Sequence, residues 1–136
     1  AHHPDKIHFV KSLKEDYVRR DFTINAMYMD EHFRVIDYCH GLSDINRGII
    51  KAVGRPSKRI KEDPLRIIRA LRFAINLDLI IDKRLQKAIR KNIPLLSKLN
   101  VSKIKQDLLK IKSHKKERTA QLFQEYDIHH LLDMIE

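Results

Sequence analysis

The chain has 136 residues, with 43% hydrophobic residues, 3 Gly and 4 Pro, a composition that excludes a disordered or repetitive chain and suits packed helices. Lys and Arg outnumber Asp and Glu by 28 to 18, a formal net charge of +10, so the surface is expected to attract polyanions such as RNA, nucleotides or acidic membranes, the plainer reading being a solvated basic surface with no specific partner. Cys39 is the single cysteine, which excludes an internal disulfide framework and a Cys-rich zinc site.

In chain order, residues 5–14 alternate loosely around Ile7, Phe9 and Leu13 and predict a short strand, as do Arg34–Tyr38 and Ile49–Val53 with their β-branched runs near turn formers. Between them, Val18, Phe22, Ala26 and Met29 recur at helical spacing, predicting a helix over 18–29, and Leu42–Arg47 supplies one more helical turn. Gly54, Pro56 and Ser57 mark a break, beyond which the pattern is helical. Asp63 and Pro64 provide an N-cap and a first-turn proline for a helix over 64–76, with Leu65, Ile68, Leu71 and Ile75 as its apolar stripe. Asp82 caps a helix to about residue 92, and Asn100 caps another over 101–112. Helices over 115–126 and 128–134 complete the chain. The expected fold is α+β and predominantly α-helical, divided at residues 1–55 and 56–136.

Three segments carry chemistry. In Arg19–Met27, Arg20, Asp21 and Asn25 fall within two helical turns; an arginine fork suits a triphosphate, and a carboxylate or amide suits ribose hydroxyls. The plainer reading is a polar helix start with surface ion pairs. In Glu62–Arg72, Arg66, Arg69 and Arg72 stand three apart, winding around the solvent side of one helix, with Asp63 one turn before Arg66. A carboxylate accepting and a guanidinium donating match the amino group and ring nitrogen of cytosine or adenine and oppose uracil and guanine. Here the plainer reading is that Asp63 only caps and the arginines are solvated. In Asp37–Asp44, Gly41 lies between Asp37 and Asp44, a pattern for a turn or hinge. The pairs His2-His3 and His129-His130 lack ligand-like neighbours, so no metal site is expected. No Gly-rich phosphate loop, serine–histidine–acid order or cysteine–histidine pair is found.

Together these segments resemble, in order, the R-R-D-F-T-x-N-A, D-x-x-x-G-x-x-D and E-D-x-x-R-x-x-R motifs of the class II tRNA nucleotidyltransferases (CCA-adding enzymes) and bacterial poly(A) polymerases, over about residues 10–110. The resemblance implies the C-terminal part of a nucleotidyltransferase head over 1–55, then a helical neck and the start of a body over 56–136. It implies that Arg20 meets the triphosphate, that Asp21 and Asn25 help hold the ribose, and that Asp63 with Arg66 reads C or A. Arg69 and Arg72 would support that pair or bind phosphate, and Asp37, Gly41 and Asp44 would form the hinge. A fourth motif, V-S-x-E-R-I-x-x-E-L, matches Leu99–Leu108 with Ser102 and Lys103 in place of its Glu and Arg.

The family's G-S turn and D-x-D pair, which bind two divalent metals, are not among these residues. The expectation is therefore a selecting half, inactive alone, of an enzyme that uses Mg2+, CTP and ATP on the 3′ end of tRNA or another RNA. An A-adding, CC-adding or poly(A)-polymerising relative would keep the same motifs, and a non-catalytic RNA- or nucleotide-binding module is the alternative of another class. The expected location is cytoplasmic, with no membrane partner, since no apolar run reaches membrane length and the N-terminus lacks a signal-peptide core. Unpaired strand edges make a homodimer of the segment a further expectation.

Overall fold

The computed structural model describes residues 4–136. It opens with helix α1 (Pro4–Tyr17) and a 3-10 turn (Thr23–Asn25), then strands β1 (Met27–Met29) and β2 (Val35–Asp37), helix α2 (Gly41–Arg47) and strand β3 (Ile49–Ile50). Helices α3 (Pro56–Glu62) and α4 (Leu65–Asn76), strand β4 (Ile80–Ile81), and helices α5 (Lys83–Asn92), α6 (Val101–Leu108) and α7 (Lys116–Glu125) follow, with 3-10 turns at Ile93–Lys98, Ser113–Lys115 and His129–Ile135. This is the α+β, mostly helical fold that the sequence predicts. No helix among the described residues is long and apolar enough to cross a membrane.

Two predicted elements are corrected. Residues 5–14 are helical, not extended. Pro4 fits a first helical turn, and the covered residues Leu13, Asp16 and Tyr17 sit three and four apart, which outweighs the loose alternation of Ile7 and Phe9, both exposed. Residues 18–29 are not a helix. Val18 and Met29, the ends of the supposed stripe, are exposed, while Phe22, Ile24 and Ala26 are buried at a spacing of two. The backbone bonds here go to another segment: Thr23 N–H donates to the Lys51 carbonyl at 2.9 Å and Val53 N–H to the Asp21 carbonyl at 3.0 Å, with a bridge between Phe22 and Ala52. Long-range pairing overrides local periodicity.

The hairpin β1–β2 pairs Met27 with Asp37 and Met29 with Val35 around a turn in which Asp30 Oδ1 accepts from His32 and Arg34 N–H groups. β3 and β4 pair in parallel, Ile49 with Ile80 and Ile50 with Ile81, and the crossover between them consists of α3 and α4. One apolar cluster results. It runs from Phe22, Ile24 and Ile50 through Ile67, Ile68, Leu71 and Ile75 of α4 to Leu85, Ile89, Leu108 and Phe123. The predicted caps are present: Asp82 accepts from Arg84 and Leu85 N–H groups, and Asn100 from Ser102 N–H. The helix after Asn100 ends at Leu108, short of residue 112.

α2 is set against the Thr23 turn by contacts from the Asp37–Asp44 segment. Asp37 accepts from the N–H groups of Gly41 at 2.8 Å and Leu42 at 2.9 Å, placing a carboxylate at the helix start, where the dipole favours it. Asp44 is buried and accepts from Thr23 Oγ1 at 2.6 Å. Gly41 lies so near that a Cβ there would stand 2.2 Å from the Thr23 carbonyl oxygen. Gly41→Ala must therefore push two backbones apart, and thermal unfolding should show a loss of about 1–3 kcal/mol or more, as overpacking does.

Candidate nucleotide-binding site

The three residues Arg19, Arg20 and Asp21 leave α1 and are met one by one by arginines of α3 and α4. Arg66 Nη2 donates to the Arg19 carbonyl at 3.4 Å, Arg59 Nη2 donates to the Arg20 carbonyl, and Arg69 pairs with the Asp21 carboxylate. Asp21 is 8% exposed, and both of its oxygens are engaged: Oδ2 by Arg69 Nε at 2.7 Å and Nη2 at 2.6 Å, Oδ1 by Phe22 N–H at 2.7 Å and Asn25 Nδ2 at 3.3 Å. Two donors on one oxygen make a charge-assisted contact of the strong kind.

Arg66 also donates to the Arg59 carbonyl at 2.8 Å and approaches Glu62 Oε2 at 3.4 Å, and Arg59 shares that same Glu62 oxygen. Asp63 is exposed, and its Oδ1 accepts Leu65 N–H at 3.1 Å at the start of α4. Its second oxygen has no partner among the hydrogen bonds of the described residues. Arg72 points elsewhere: its side chain is 11% exposed, its Nε lies 3.2 Å from Asp107 Oδ1 of α6, and its guanidinium stacks 4.3 Å over Phe73.

The structure thus brings Arg20, Asp21, Asn25, Asp63, Arg66 and Arg69 to one seam, and puts Arg72 on the α4–α6 side. The expectation that Arg66, Arg69 and Arg72 wind around a solvent face is corrected. Their side chains are 16%, 31% and 11% exposed, because partners outside α4 cover each of them. Spacing along one helix cannot reveal a partner 48 residues earlier or 35 later.

Residues not singled out from sequence are Arg59, Glu62 as its partner, Asp16, Tyr28 and Asp107. Glu62 three residues after Arg59 was the visible signal for that pair. Asp107 occupies the second acidic position of the fourth motif, so its place in the Leu99–Leu108 match pointed to a partner. Asp16 accepts from Tyr28 hydroxyl at 2.5 Å and Arg20 at 3.0 Å, and these bonds hold its carboxyl below the ordinary aspartate range. Burial, followed by the Asp16 hydrogen bond, pushes the Tyr28 hydroxyl up. At Asp37, burial raises the carboxyl, but the N–H groups of Leu42, Gly41 and Cys39 together with His40 outweigh it, and the net direction is down.

Among the described residues no group of three or more His, Cys, Asp or Glu side chains could hold a metal ion, and His2-His3 lies outside them. Within the seam Asp21 and Glu62 are committed to arginines and a backbone donor, which leaves the free Asp63 oxygen without a second carboxylate beside it, so the described residues do not fit a divalent metal.

A short antiparallel hairpin, a parallel strand pair bridged by two helices, and a helical array beyond them make up the head-and-neck fold of the nucleotidyltransferases. Residues 1–51 match the Poly A polymerase head domain model. The CCA-adding enzyme of Limosilactobacillus reuteri is 51% identical over 108 residues, 79% of this chain and 27% of that protein. Among solved structures, the Bacillus stearothermophilus CCA-adding enzyme in complex with CTP superposes with a TM-score of 0.81 at 37% identity, covering 85% of this chain and 30% of that one. The Thermotoga maritima CCA-adding enzyme complexed with a tRNA gives a TM-score of 0.75 at 27% identity, covering 85% and 30%. The chain belongs to the class II tRNA nucleotidyltransferase and poly(A) polymerase family, and it spans 27% of the length of the first of these relatives.

Two measurements probe the site. Asp21→Ala leaves Arg69 without its anion in a mostly covered place, and chemical denaturation should show a loss of about 3 kcal/mol. Combining it with Arg69→Met should cost less than the two changes added, because the pair acts as a unit. The second probe is pH. A depressed Asp37 carboxyl stabilises the fold above the unfolded aspartate value of about 3.9, and that contribution is lost as pH falls through the folded value. Wild type should therefore lose more stability than Asp37→Asn between about pH 4 and lower pH.

Proposed function

We propose that this chain is the nucleotide-selecting part of a template-independent RNA nucleotidyltransferase that adds C and A to tRNA 3′ ends from CTP and ATP. In this reading residues 1–55 belong to the head, and residues 56–136 form the neck and the start of the body. The observation that carries it is the seam itself. Arg59, Arg66 and Arg69 fasten the 19–21 segment to the start of α4, so Arg20 and the Asp63–Arg66 pair are parts of one rigid arrangement.

Arg20 meets the triphosphate with its charge and fork of donors. Asp63 keeps Oδ2 available to accept from an exocyclic amino group, while Arg66, fixed by Glu62 and the Arg59 carbonyl, donates to the ring nitrogen. Asp21 is occupied on both oxygens, so it serves the ribose by orienting Asn25 and Arg69. Arg72 stiffens the same helix from its far side through Asp107. Asp37, Gly41 and Asp44 seat the Thr23 turn and act as the hinge between α2 and the site.

The CTP and tRNA complexes of the similar enzymes support these substrates. Mg2+ belongs to the parent enzyme, held by carboxylates other than those described, and no step here passes through it. A cytoplasmic setting and an RNA 3′ end as partner go with tRNA processing, and the exposed edges of the β1–β2 hairpin would permit a homodimer of the segment. The match of residues 1–51 to a Poly A polymerase head favours, as a second reading, a relative that adds A alone.

The test is nucleotide binding by calorimetry. The chain should prefer CTP and ATP to UTP and GTP, and Asp63→Ala should erase about 1–3 kcal/mol of that preference, the worth of one bidentate base contact. A preference unchanged by the substitution would sink the base-reading assignment, and selective binding of ATP alone would favour the second reading.

A further inference from the structure

Arg20 does not hang free on the surface. Its guanidinium is half exposed, and Nε and Nη2 both lie 3.0 Å from Asp16 Oδ2 on the last turn of α1. The Tyr28 hydroxyl donates to that same oxygen at 2.5 Å, and the Tyr28 ring lies 5.9 Å beneath the guanidinium carbon. An ion pair four residues apart on an exposed helix has little hold on its geometry. This one is closed by a third group from another element, since Tyr28 belongs to β1 and ties the end of α1 to the hairpin. The Arg20 carbonyl is fixed as well, by Arg59. Both ends of the residue are therefore anchored.

An arginine has five N–H donors in a planar fork, and Asp16 takes one from Nε and one from Nη2. Three remain, two on Nη1 and one on Nη2, and one from each nitrogen forms the edge that binds phosphate bidentately. The Asp16 charge does not cancel the site, because Arg19 Nη2 lies 3.5 Å from Oδ1 on the other side of the carboxylate. Two guanidinium groups share one anion, so a net positive charge is left for an incoming phosphate.

We infer that Asp16 and Tyr28 are positioning residues that hold the Arg20 guanidinium with its Nη edge turned outward, ready for the phosphates of the nucleotide. This rests on the reading of Arg20 as the phosphate contact. Holding a long side chain in advance removes ordering cost from the binding step, and for one rotamer-rich side chain the gain is roughly three- to tenfold in affinity. The effect belongs to the phosphates alone, because among the described residues neither Asp16 nor Tyr28 shares a hydrogen bond or ion pair with Asp63 or Arg66.

The experiment measures dissociation constants of the 136-residue chain for CTP and for cytidine by NMR titration, in wild type, Arg20→Ala, Asp16→Asn and Tyr28→Phe. Asp16→Asn should weaken CTP roughly three- to tenfold and leave cytidine unchanged, and Tyr28→Phe, which keeps the ring beneath Arg20, should do the same to a smaller degree. Unchanged cytidine binding also reports that each variant is folded, and Tyr28→Phe carries the test should Asp16→Asn fail that control. If Arg20→Ala narrows the CTP-to-cytidine ratio while Asp16→Asn and Tyr28→Phe leave it alone, the positioning role is wrong. Tighter CTP binding by Asp16→Asn also overturns it, and makes Asp16 a competitor of phosphate. If Arg20→Ala itself leaves the ratio unaltered, the phosphate assignment of Arg20 fails and the inference falls with it.

Discussion

The Asp21 carboxylate faces four donors in a nearly closed space, and the arrangement of the molecule follows from satisfying it. A buried charge left alone is costly, so Asp21 requires Arg69, and Arg69 can reach it only when α4 lies against the 19–21 segment. Once α4 is there, Phe22 stacks edge-on against Phe73 at 5.9 Å, and the backbone of residues 21–23 pairs with that of 51–53. A buried ion pair is a poor source of net stability, since desolvation offsets most of its attraction. Its effect here is geometric: it admits one register of α4 against the chain leaving α1.

Arg59 and Arg66 extend that register to the backbone. Each donates to a carbonyl of the 19–20 segment, and Glu62 binds both of them through one oxygen. Side chains of two helices thus grip main chain rather than other side chains, which fixes position without depending on what residues 19 and 20 carry. On the opposite face, Gly41 and Asp44 press α2 against the Thr23 turn. The segment is held from both sides, and a displacement of either α2 or α4 would move Arg20 and Arg66 together. In the proposed reading, phosphate contact and base contact are mechanically coupled.

The helices beyond residue 56 were legible because their signals are local: a proline after Asp63, a cap at Asp82, a cap at Asn100, and apolar residues three and four apart. The segment 18–29 misled because its conformation is decided elsewhere. Phe22, Thr23 and Ala26 take the shape that residues 51–53 and Gly41 impose, and no window around them contains that information. The site divides in the same way. Arginine and aspartate at motif positions marked the residues of the proposed site, and the plainer reading of Asp63 as a cap describes one of its oxygens. The partners were hidden, because Asp21 with Arg69 and Arg72 with Asp107 are contacts between distant parts of the chain.

The charge of the chain acquires a different sense from these pairings. Residues 56–136 contain 19 Lys and Arg against 10 Asp and Glu, so nearly all of the +10 excess lies beyond the break. Yet Arg59, Arg66, Arg69 and Arg72, the cations nearest the proposed base-reading position, are matched by Glu62, Asp21 and Asp107 and largely covered. In the proposed reading, a nucleotide approaching α4 meets oriented donors more than bulk positive potential. Attraction over distance falls to exposed groups such as Lys58, Lys61, Lys87 and Lys91, which do not discriminate among bases. Discrimination is a difference of affinities, so a charge that holds every triphosphate equally leaves it unchanged, and in the proposed reading it rests on the Asp63–Arg66 hydrogen bonds, worth about 1–3 kcal/mol.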